Sequence, residues 1–446
     1  MEVGQSPAGQ GPVELLQRLL RFDTTNPPGN EGPCIAFIKE LLEAAGFPTT
    51  VLARDEGRPN LIARLAGRGA APPLLLYGHV DVVTTAHQAW THPPFGGDEA
   101  GGYLWGRGAV DMKGGIAMML AALLRARAEG LAPAGDIVLA VVSDEEAGGD
   151  FGARYLVENH PGQFSGIRYA IGEMGGFPIY LGPAKFYAIQ VAEKQICWLK
   201  ATVRGPAGHG SVPMRGGTMA RLARMLGKLD GQRLPAHVTP AMRGMLETMA
   251  AGAPGPASAP FARLLDPALT DTTLDALAPL GLGAQVALLD ALLHNTANAT
   301  MVHGGDKINV IPSEIAVGLD GRLLPGYTPD DLIRELQAIV GEDVAFEVAA
   351  YDPGPAEPDM GLFGTLANIL CEDEPGATAI PLLLPGTTDG RFLARLGIQS
   401  YGFLPMNLPP GFDALSLVHG ADERIPAGCL AFGSEAIFKV LERYSG

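Results

Sequence analysis

Leu74-Leu75-Leu76-Tyr77-Gly78-His79-Val80-Asp81 is an apolar run that ends in an imidazole and a carboxylate. Two more stretches are built the same way. Trp105-Gly106-Arg107-Gly108-Ala109-Val110-Asp111-Met112-Lys113-Gly114-Gly115 sets one acid in a glycine-rich turn, and the apolar run Ile137–Val142 leads into Ser143-Asp144-Glu145-Glu146. Short, wholly apolar runs bounded by turn signals read as strands of a buried parallel sheet. Open α/β sheets bind ligands in the crevice outside the carboxyl ends of their strands. His79, Asp81, Asp111, Glu145 and Glu146 are therefore expected to converge there. Carboxylates packed that closely cannot all stay ionised without a cation. Imidazole with carboxylate suits zinc or a similar divalent ion.

Working outward, the segments around this stretch alternate between helix and strand. Pro12–Phe22 and Pro33–Ala45 carry helical apolar stripes, and Thr49–Ala53 and Asn60–Leu65 read as strands. Thr84–Leu104 reads as a loop, Met112–Arg127 as a long helix, Gly149–Glu158 as a helix and Tyr169–Ile171 as a strand leading to Glu173. The pattern changes near Ala188. One long strand is expected over Ile189–Val203, then a helix over Thr218–Leu229 and a helical, partly irregular stretch over Pro235–Asn298. Strands return over Ala299–His303, Lys307–Ile311, Glu314–Leu323 and Val344–Ala350, with a helix over Thr328–Val340 between the last two. From Pro358 the first alternation resumes and closes with a helix over Ala427–Tyr444. The expected fold is α/β, a mixed sheet layered by helices, with an α+β domain inserted over 188–355 between two parts of the main domain, 1–187 and 356–446. No internal repeat is visible.

At 446 residues the chain is too long for one ordinary core, which agrees with two domains. A formal charge of −16 argues against a nucleic-acid partner. Cys34, Cys197, Cys371 and Cys429 form no Cys-x-x-Cys pair, so free thiols in a reducing, cytoplasmic setting are expected, and a cysteine zinc site is not. Met1–Pro12 lacks the basic start and apolar run of a signal peptide, and the first ten residues are expected to be disordered. No apolar stretch reaches the roughly 20 residues that span a bilayer, so no membrane partner is expected. The glycines at 106, 108, 114 and 115 lack the spacing of a dinucleotide fingerprint or a phosphate loop.

His79-x-Asp81, Asp111 followed by Met-Lys-Gly-Gly, Glu145-Glu146, Glu173 and His419 occur in an order that resembles the di-zinc exopeptidase and amidohydrolase family. That family includes aminoacylase, acetylornithine deacetylase, succinyl-diaminopimelate desuccinylase and glutamate carboxypeptidase. Gly208-His209-Gly210-Ser211 and Asn309-Val310-Ile311-Pro312 extend the resemblance over nearly the whole chain. The resemblance implies two divalent ions, zinc first, with cobalt or manganese as alternatives. Asp111 would bridge both, His79 and Glu173 would complete one shell, and Glu146 with His419 the other. Asp81 would take the second ring proton of His79 and fix its tautomer. Glu145 would be the general base, taking a proton from the shared water and passing it to the leaving nitrogen, the two glutamates dividing roles because side chains diverge at a strand end. His209 would stabilise the oxyanion, and Arg322 would hold a substrate carboxylate. Asn309, Gly386, Thr387 and Arg391 would be further substrate contacts.

The implied reaction is hydrolysis of an amide or peptide bond next to a free carboxylate, by a carboxypeptidase or dipeptidase or by a deacylase of N-acyl amino acids. The implied partners are a small-molecule or short-peptide substrate and a second copy of the chain, a homodimer through the inserted domain. The long segment from Arg233 to Asn298 departs from the smaller family members and bears on that dimer. The competing readings are a di-zinc aminopeptidase and a catalytically silent binding relative. Arg322 has a plain structural alternative in Asp320, and Arg391 in a helix-surface ion pair. His87, His92, His160, His237, His294 and His303 are expected to be structural.

Overall fold

The structure is a computed structural model that describes residues 11–280 and 283–446. The expectation of disorder over residues 1–10 falls outside them. Two compact units form. One comprises the described residues through Val191 with Asp359–Pro381 and Thr388–Gly446, and the other Ala192–Pro358 with Leu382–Thr387.

The first unit is built on a nine-stranded mixed sheet. Its central strands Ile137–Val142, Leu74–His79, Tyr169–Gly172 and Gln399–Gly402 are neighbours in that order and run parallel. Asn60–Leu65 and Thr49–Leu52 add to one side antiparallel, and Ala184–Glu193 pairs antiparallel on the other. Leu74–His79 leads through the helix Lys113–Ala128 to Ile137–Val142 on one flank, and the chain then crosses to Tyr169–Gly172 on the other. His79 thus ends the strand where the order reverses, the place where such sheets open a crevice. Glu145, Glu146 and Glu173 follow the two flanking strands.

Period-two alternation splits each central strand between two cores. Leu75, Tyr77, Val138, Ala140, Val142 and Ala170 share one core with Leu156, Phe392 and Leu393 of the short helices Ala153–Asn159 and Gly390–Ala394. On the opposite face lies Lys113–Ala128, which packs against Pro12–Leu20 and Ala427–Arg443. The approach is close enough that a Cβ on Gly78 would sit 2.4 Å from Met112 Cε and 2.9 Å from Ile116 Cδ1. The loop expected over 84–104 contains two short strands, Asp98–Ala100 and Tyr103–Trp105, which form a three-stranded sheet with Arg424–Pro426.

The second unit is a four-stranded antiparallel sheet, in the order Thr296–His303, Glu314–Leu323, Gln195–Arg204, Val344–Tyr351. Cys197, Leu199, Ala201 and Val203 alternate inward with Ile315, Val317 and Leu319. They meet Leu222 and Met225 of Thr218–Gly231 and Leu332 and Leu336 of Pro329–Val340. Thr328 and Asp331 close a capping box at the start of the latter helix. Four α-helices, Pro240–Gly252, Ser258–Leu264, Pro267–Leu277 and Gly283–Leu293, occupy the long segment before Thr296–His303. The single strand expected over 189–203 is instead two, Ala184–Glu193 and Gln195–Arg204, each in a different sheet. Lys194 breaks the run. Its buried ammonium donates to the carbonyls of Ala291 and His294 and to Thr296 Oγ1 at 2.9–3.0 Å. Expected strand 307–311 is reduced to Val310–Ile311.

Among the described residues no helix is long and apolar enough to cross a membrane. All four cysteines are free thiols. Leu139→Ala, in the centre of the parallel sheet and 1% exposed, is expected to lower stability by about 2–5 kcal/mol, read as the shift of the first unit's unfolding transition in urea.

Candidate metal centre

His79 closes its strand with both ring nitrogens engaged. Nδ1 lies 3.0 Å from the main-chain oxygen of Asp81. A carbonyl only accepts, so Nδ1 carries a proton and Nε2 is the nitrogen turned to the acids. Nε2 faces Asp111 Oδ1 at 3.2 Å and Glu173 Oε2 at 3.4 Å, as a donor while the ring is protonated and as a ligand atom once an ion takes the proton's place. The peptide of Asp81 thus holds the proton at Nδ1. Its carboxylate, expected in that role, also faces Nδ1, at 3.5 Å. It is taken up by the amides of Glu145 and Glu146, each at 3.1 Å, and by Asn26 Nδ2 at 2.9 Å. Asp81 therefore holds the two glutamates in place as well as flanking the histidine.

Glu145 and Glu146 lie on a single 3-10 turn, Glu145–Ala147, and not at the strand end expected for them. Successive residues on such a turn point about 120° apart, so the pair splits between two clusters. Oxygen and nitrogen atoms of His79, Glu145 and Glu173 form one cluster, and those of Asp111, Glu146 and His419 the other, each spanning at most 4.8 Å. The turn is entered through Asp144 at φ 71°, a left-handed conformation costly for a residue with a Cβ. Asp144 is held there by Arg58 Nη1 at 2.9 Å, Asn26 Nδ2 at 3.0 Å and the amide of Phe151 at 3.0 Å. Arg58 is in turn clamped by the fully buried Glu31 at 2.6 Å. None of Asn26, Glu31, Arg58 and Asp144 stood out in the sequence. Their only signal is the density of polar residues around Thr24-Thr25-Asn26-Pro27, which reads simply as a turn.

Asp111 lies between the clusters. Oδ1 faces His79, and Oδ2 is 3.4 Å from His419 Nε2, which is also 3.1 Å from Glu146 Oε2. One carboxylate thus turns each oxygen to a different imidazole. The electrostatics follow from this crowding. Burial, then the charge of Glu173, pushes the Glu145 carboxyl well above the usual carboxylate range. Burial likewise raises Glu173. At Asp111 burial works upward too, but hydrogen bonds to His419 and His79 prevail and hold it low. Hydrogen bonds to Asp111 and Glu146 raise His419 to about 10. Asp389, whose buried carboxylate oxygens have no hydrogen-bond partner among the described residues, is raised to about 7 by burial, an effect that the Arg391 charge opposes. Arg391 itself donates to the carbonyl of Gly148, just after the glutamate turn, at 3.1 Å.

The donor set fits divalent ions. Each cluster offers one imidazole nitrogen and two carboxylates, the mixture that zinc, cobalt and manganese accept. Without such an ion the acids can be balanced only by protons, on the imidazoles among other groups. No third cluster of this kind occurs among the described residues, so none of the other seven histidines joins one.

The remaining candidates belong to the second unit. His209 and Asn309 are brought together where Gly208–His209 pairs with Val310–Ile311 and the Gly210 amide donates to Asn309 O at 2.8 Å. His209 Nδ1 lies 2.7 Å from Ser211 Oγ and 3.3 Å from the Ser211 amide nitrogen, so Ser211 engages Nδ1 and Nε2 is the other nitrogen of an exposed ring. Arg322 is gripped by Asp320 through Nε at 2.8 Å and Nη2 at 3.3 Å. Gly386 and Thr387 lie in the segment Leu382–Thr387 of this unit.

The profile of peptidase family M20/M25/M40 matches residues 75–443, and the chain belongs to that family. It is a hydrolase of amide bonds. The succinyl-diaminopimelate desuccinylase of Paracoccus denitrificans is 28% identical over 452 residues, covering 97% of this chain and 98% of that protein. Aminoacylase-1 of Sus scrofa is 26% identical over 437 residues, covering 93% and 90%. The structure of the M20 family metallo-carboxypeptidase Sso-CP2 from Sulfolobus solfataricus has a TM-score of 0.68 at 16% identity, covering 98% of this chain and 99% of that one, and so shares the fold.

Because His419 is protonated up to about pH 10 when no ion is bound, binding an ion must expel that proton. Affinity for a divalent ion is therefore expected to rise with pH between 6 and 9. Titration calorimetry in buffers of different ionisation enthalpy should show at least one proton released at pH 7 on binding of the ion that His419 would hold. A pH-independent affinity would contradict the assignment of His419 as a ligand.

Proposed function

We propose that this hydrolase cleaves an amide bond next to a free carboxylate, as a carboxypeptidase or dipeptidase or as a deacylase of N-acyl amino acids. The observation that carries the reading is Asp111, whose two carboxylate oxygens face the imidazoles of two separate clusters. His79 and Glu173 with Asp111 would hold one divalent ion, and Glu146 and His419 with Asp111 the other, zinc being the first choice and cobalt or manganese the alternatives. When bound, the ions supply Lewis-acid polarisation of the carbonyl and acidification of a water.

The rest of the chemistry falls to the protein. Glu145 accepts the proton of the attacking water and delivers it to the leaving nitrogen, so that amide and water become a carboxylic acid and an amine. Its burial raises its basicity, as that task requires. Asp81 fixes where Glu145 points through the Glu145 amide. His209, whose Nδ1 is engaged by Ser211, is the donor to the oxyanion through Nε2. Arg322 receives the substrate carboxylate. Asp320 preorients the guanidinium, so a substrate carboxylate would use the edge that Asp320 leaves. Asn309, Gly386 and Thr387 are further contacts, and Arg391 supports the glutamate turn. The free thiols are in keeping with a reducing, cytoplasmic setting, and the second unit is the proposed dimerisation surface.

Zinc- or cobalt-loaded protein, offered dipeptides and N-acyl amino acids with free or amidated C-termini, is expected to turn over only those with a free carboxylate. A requirement for a free N-terminal amine would make the chain an aminopeptidase instead. Glu145→Gln is expected to keep both ions and lose about 10²–10⁴ in kcat; full activity would remove Glu145 from its role. Arg322→Ala is expected to raise KM for carboxylate-bearing substrates at least tenfold with a smaller change in kcat, and an unchanged KM would move the carboxylate contact elsewhere.

A further inference from the structure

Glu423 is fully buried and follows His419 by four residues. Its carboxylate is saturated by one loop. Oε1 accepts from the amides of Val110 at 2.8 Å and Asp111 at 3.1 Å, and Oε2 from the amide of Gly108 at 3.0 Å and from Arg107 Nη1 at 2.7 Å. Its own main-chain oxygen accepts from the amide of Gly106 at 2.9 Å. Arg107, 1% exposed, then reaches back toward the histidine. Its Nη2 donates to His419 O at 3.2 Å and to Gln88 Oε1 at 2.8 Å, and Gln88 Nε2 donates to the same His419 oxygen at 2.8 Å. Thr91 binds Asp422 through its amide at 2.6 Å and its hydroxyl at 2.7 Å. One buried ion pair thereby ties the main chain of Asp111 to the main chain of His419.

The two ligand clusters are anchored differently. His79 and Glu173 stand at the ends of neighbouring parallel strands, and Glu145 is held by Asp81. His419 has no such scaffold. It is half exposed, at φ 61°, in the loop after the four-residue helix Ala414–Leu417. We infer that Glu423, with Arg107 as its partner, is a positioning residue that sets the spacing of Asp111 and His419 and so governs the affinity of the ion held by Asp111, Glu146 and His419. The ion at His79 and Glu173 shares Asp111 but not His419, and so depends on it less. The inference rests on the two-ion reading above. A buried carboxylate that accepts three amides and a guanidinium cannot be replaced by a carboxamide without turning an N–H toward another N–H.

The test measures binding of zinc alone, by equilibrium dialysis with metal analysis, and of cobalt alone, by its visible absorption, to the full chain and its variants. Wild type is expected to bind two ions. Glu423→Gln is expected to bind the second about 10–100-fold more weakly, the usual effect of removing a residue that orients a ligand, and the first, which shares only Asp111 with it, with a clearly smaller loss. Circular dichroism and the thermal transition of the metal-free proteins show whether the variant is folded. Gln88→Ala touches only the outer end of the clamp and leaves its ion pair in place. It is expected to weaken the second ion severalfold and to decide the matter if Glu423→Gln does not fold. A folded variant that binds both ions as wild type does, or weakens both by the same factor, overturns the clamp. Wild-type protein that binds fewer than two ions overturns instead the two-ion reading beneath it.

Discussion

Carboxylates drawn out of water beside one another repel, and each loses hydration that the protein must replace. Asp111, Glu145, Glu146 and Glu173 are held in that condition, with two imidazoles among them. Asp111 is pulled down by its hydrogen bonds to the histidines while Glu145 and Glu173 are pushed up by burial. The site therefore demands positive charge, as protons or as metal ions. Most of the surrounding architecture can be understood as the means of holding these groups together against their repulsion.

The sheet does the first part of that work. Three adjacent parallel strands end in His79, in the glutamate turn and in Glu173, and a strand buried on both faces has little freedom to shift. Met112 and Ile116, at the start of the helix Lys113–Ala128, lie so close to Gly78 that a side chain there would have to displace them. The second part is done by buried polar groups that bond to main chain. Asp81 takes the amides of Glu145 and Glu146, Asp144 and Arg58 secure the strained entry to their turn, and Glu423 takes the amides around Asp111. In each case a buried acid finds N–H donors that offset its desolvation, and the loop thus held gains a fixed position.

Much of this was legible before folding. The apolar runs ending in His79 and Glu145 announced parallel strands, and Pro, Gly and Thr328-Pro329 marked helix boundaries correctly to within a few residues. Other features were not legible because periodicity reports only whether a segment is buried, not which sheet it joins. The run 189–203 is interrupted only by the polar triplet Glu193-Lys194-Gln195, where the chain leaves one sheet and enters another. The short strands Asp98–Ala100 and Tyr103–Trp105 exist through pairing with each other and with Arg424–Pro426, more than 300 residues away in the chain, an interaction absent from local composition.

The sequence by itself determined the kind of fold and set His79, Asp81, Asp111, Glu145 and Glu146 at strand ends and turns, because strand burial and residue chemistry are legible in short windows; Glu173 and His419 joined them through the family resemblance. Tertiary structure alone decided that the two glutamates divide on a 3-10 turn, that the peptide of Asp81 as well as its carboxylate faces His79 Nδ1, and that Glu423 binds the loop of Asp111. Those outcomes depend on the direction of individual N–H and C=O groups, and on partners as far apart as Asp111 and Glu423, 312 residues along the chain. No local pattern encodes a direction in space, and only the folded chain brings such donors and acceptors within bonding distance.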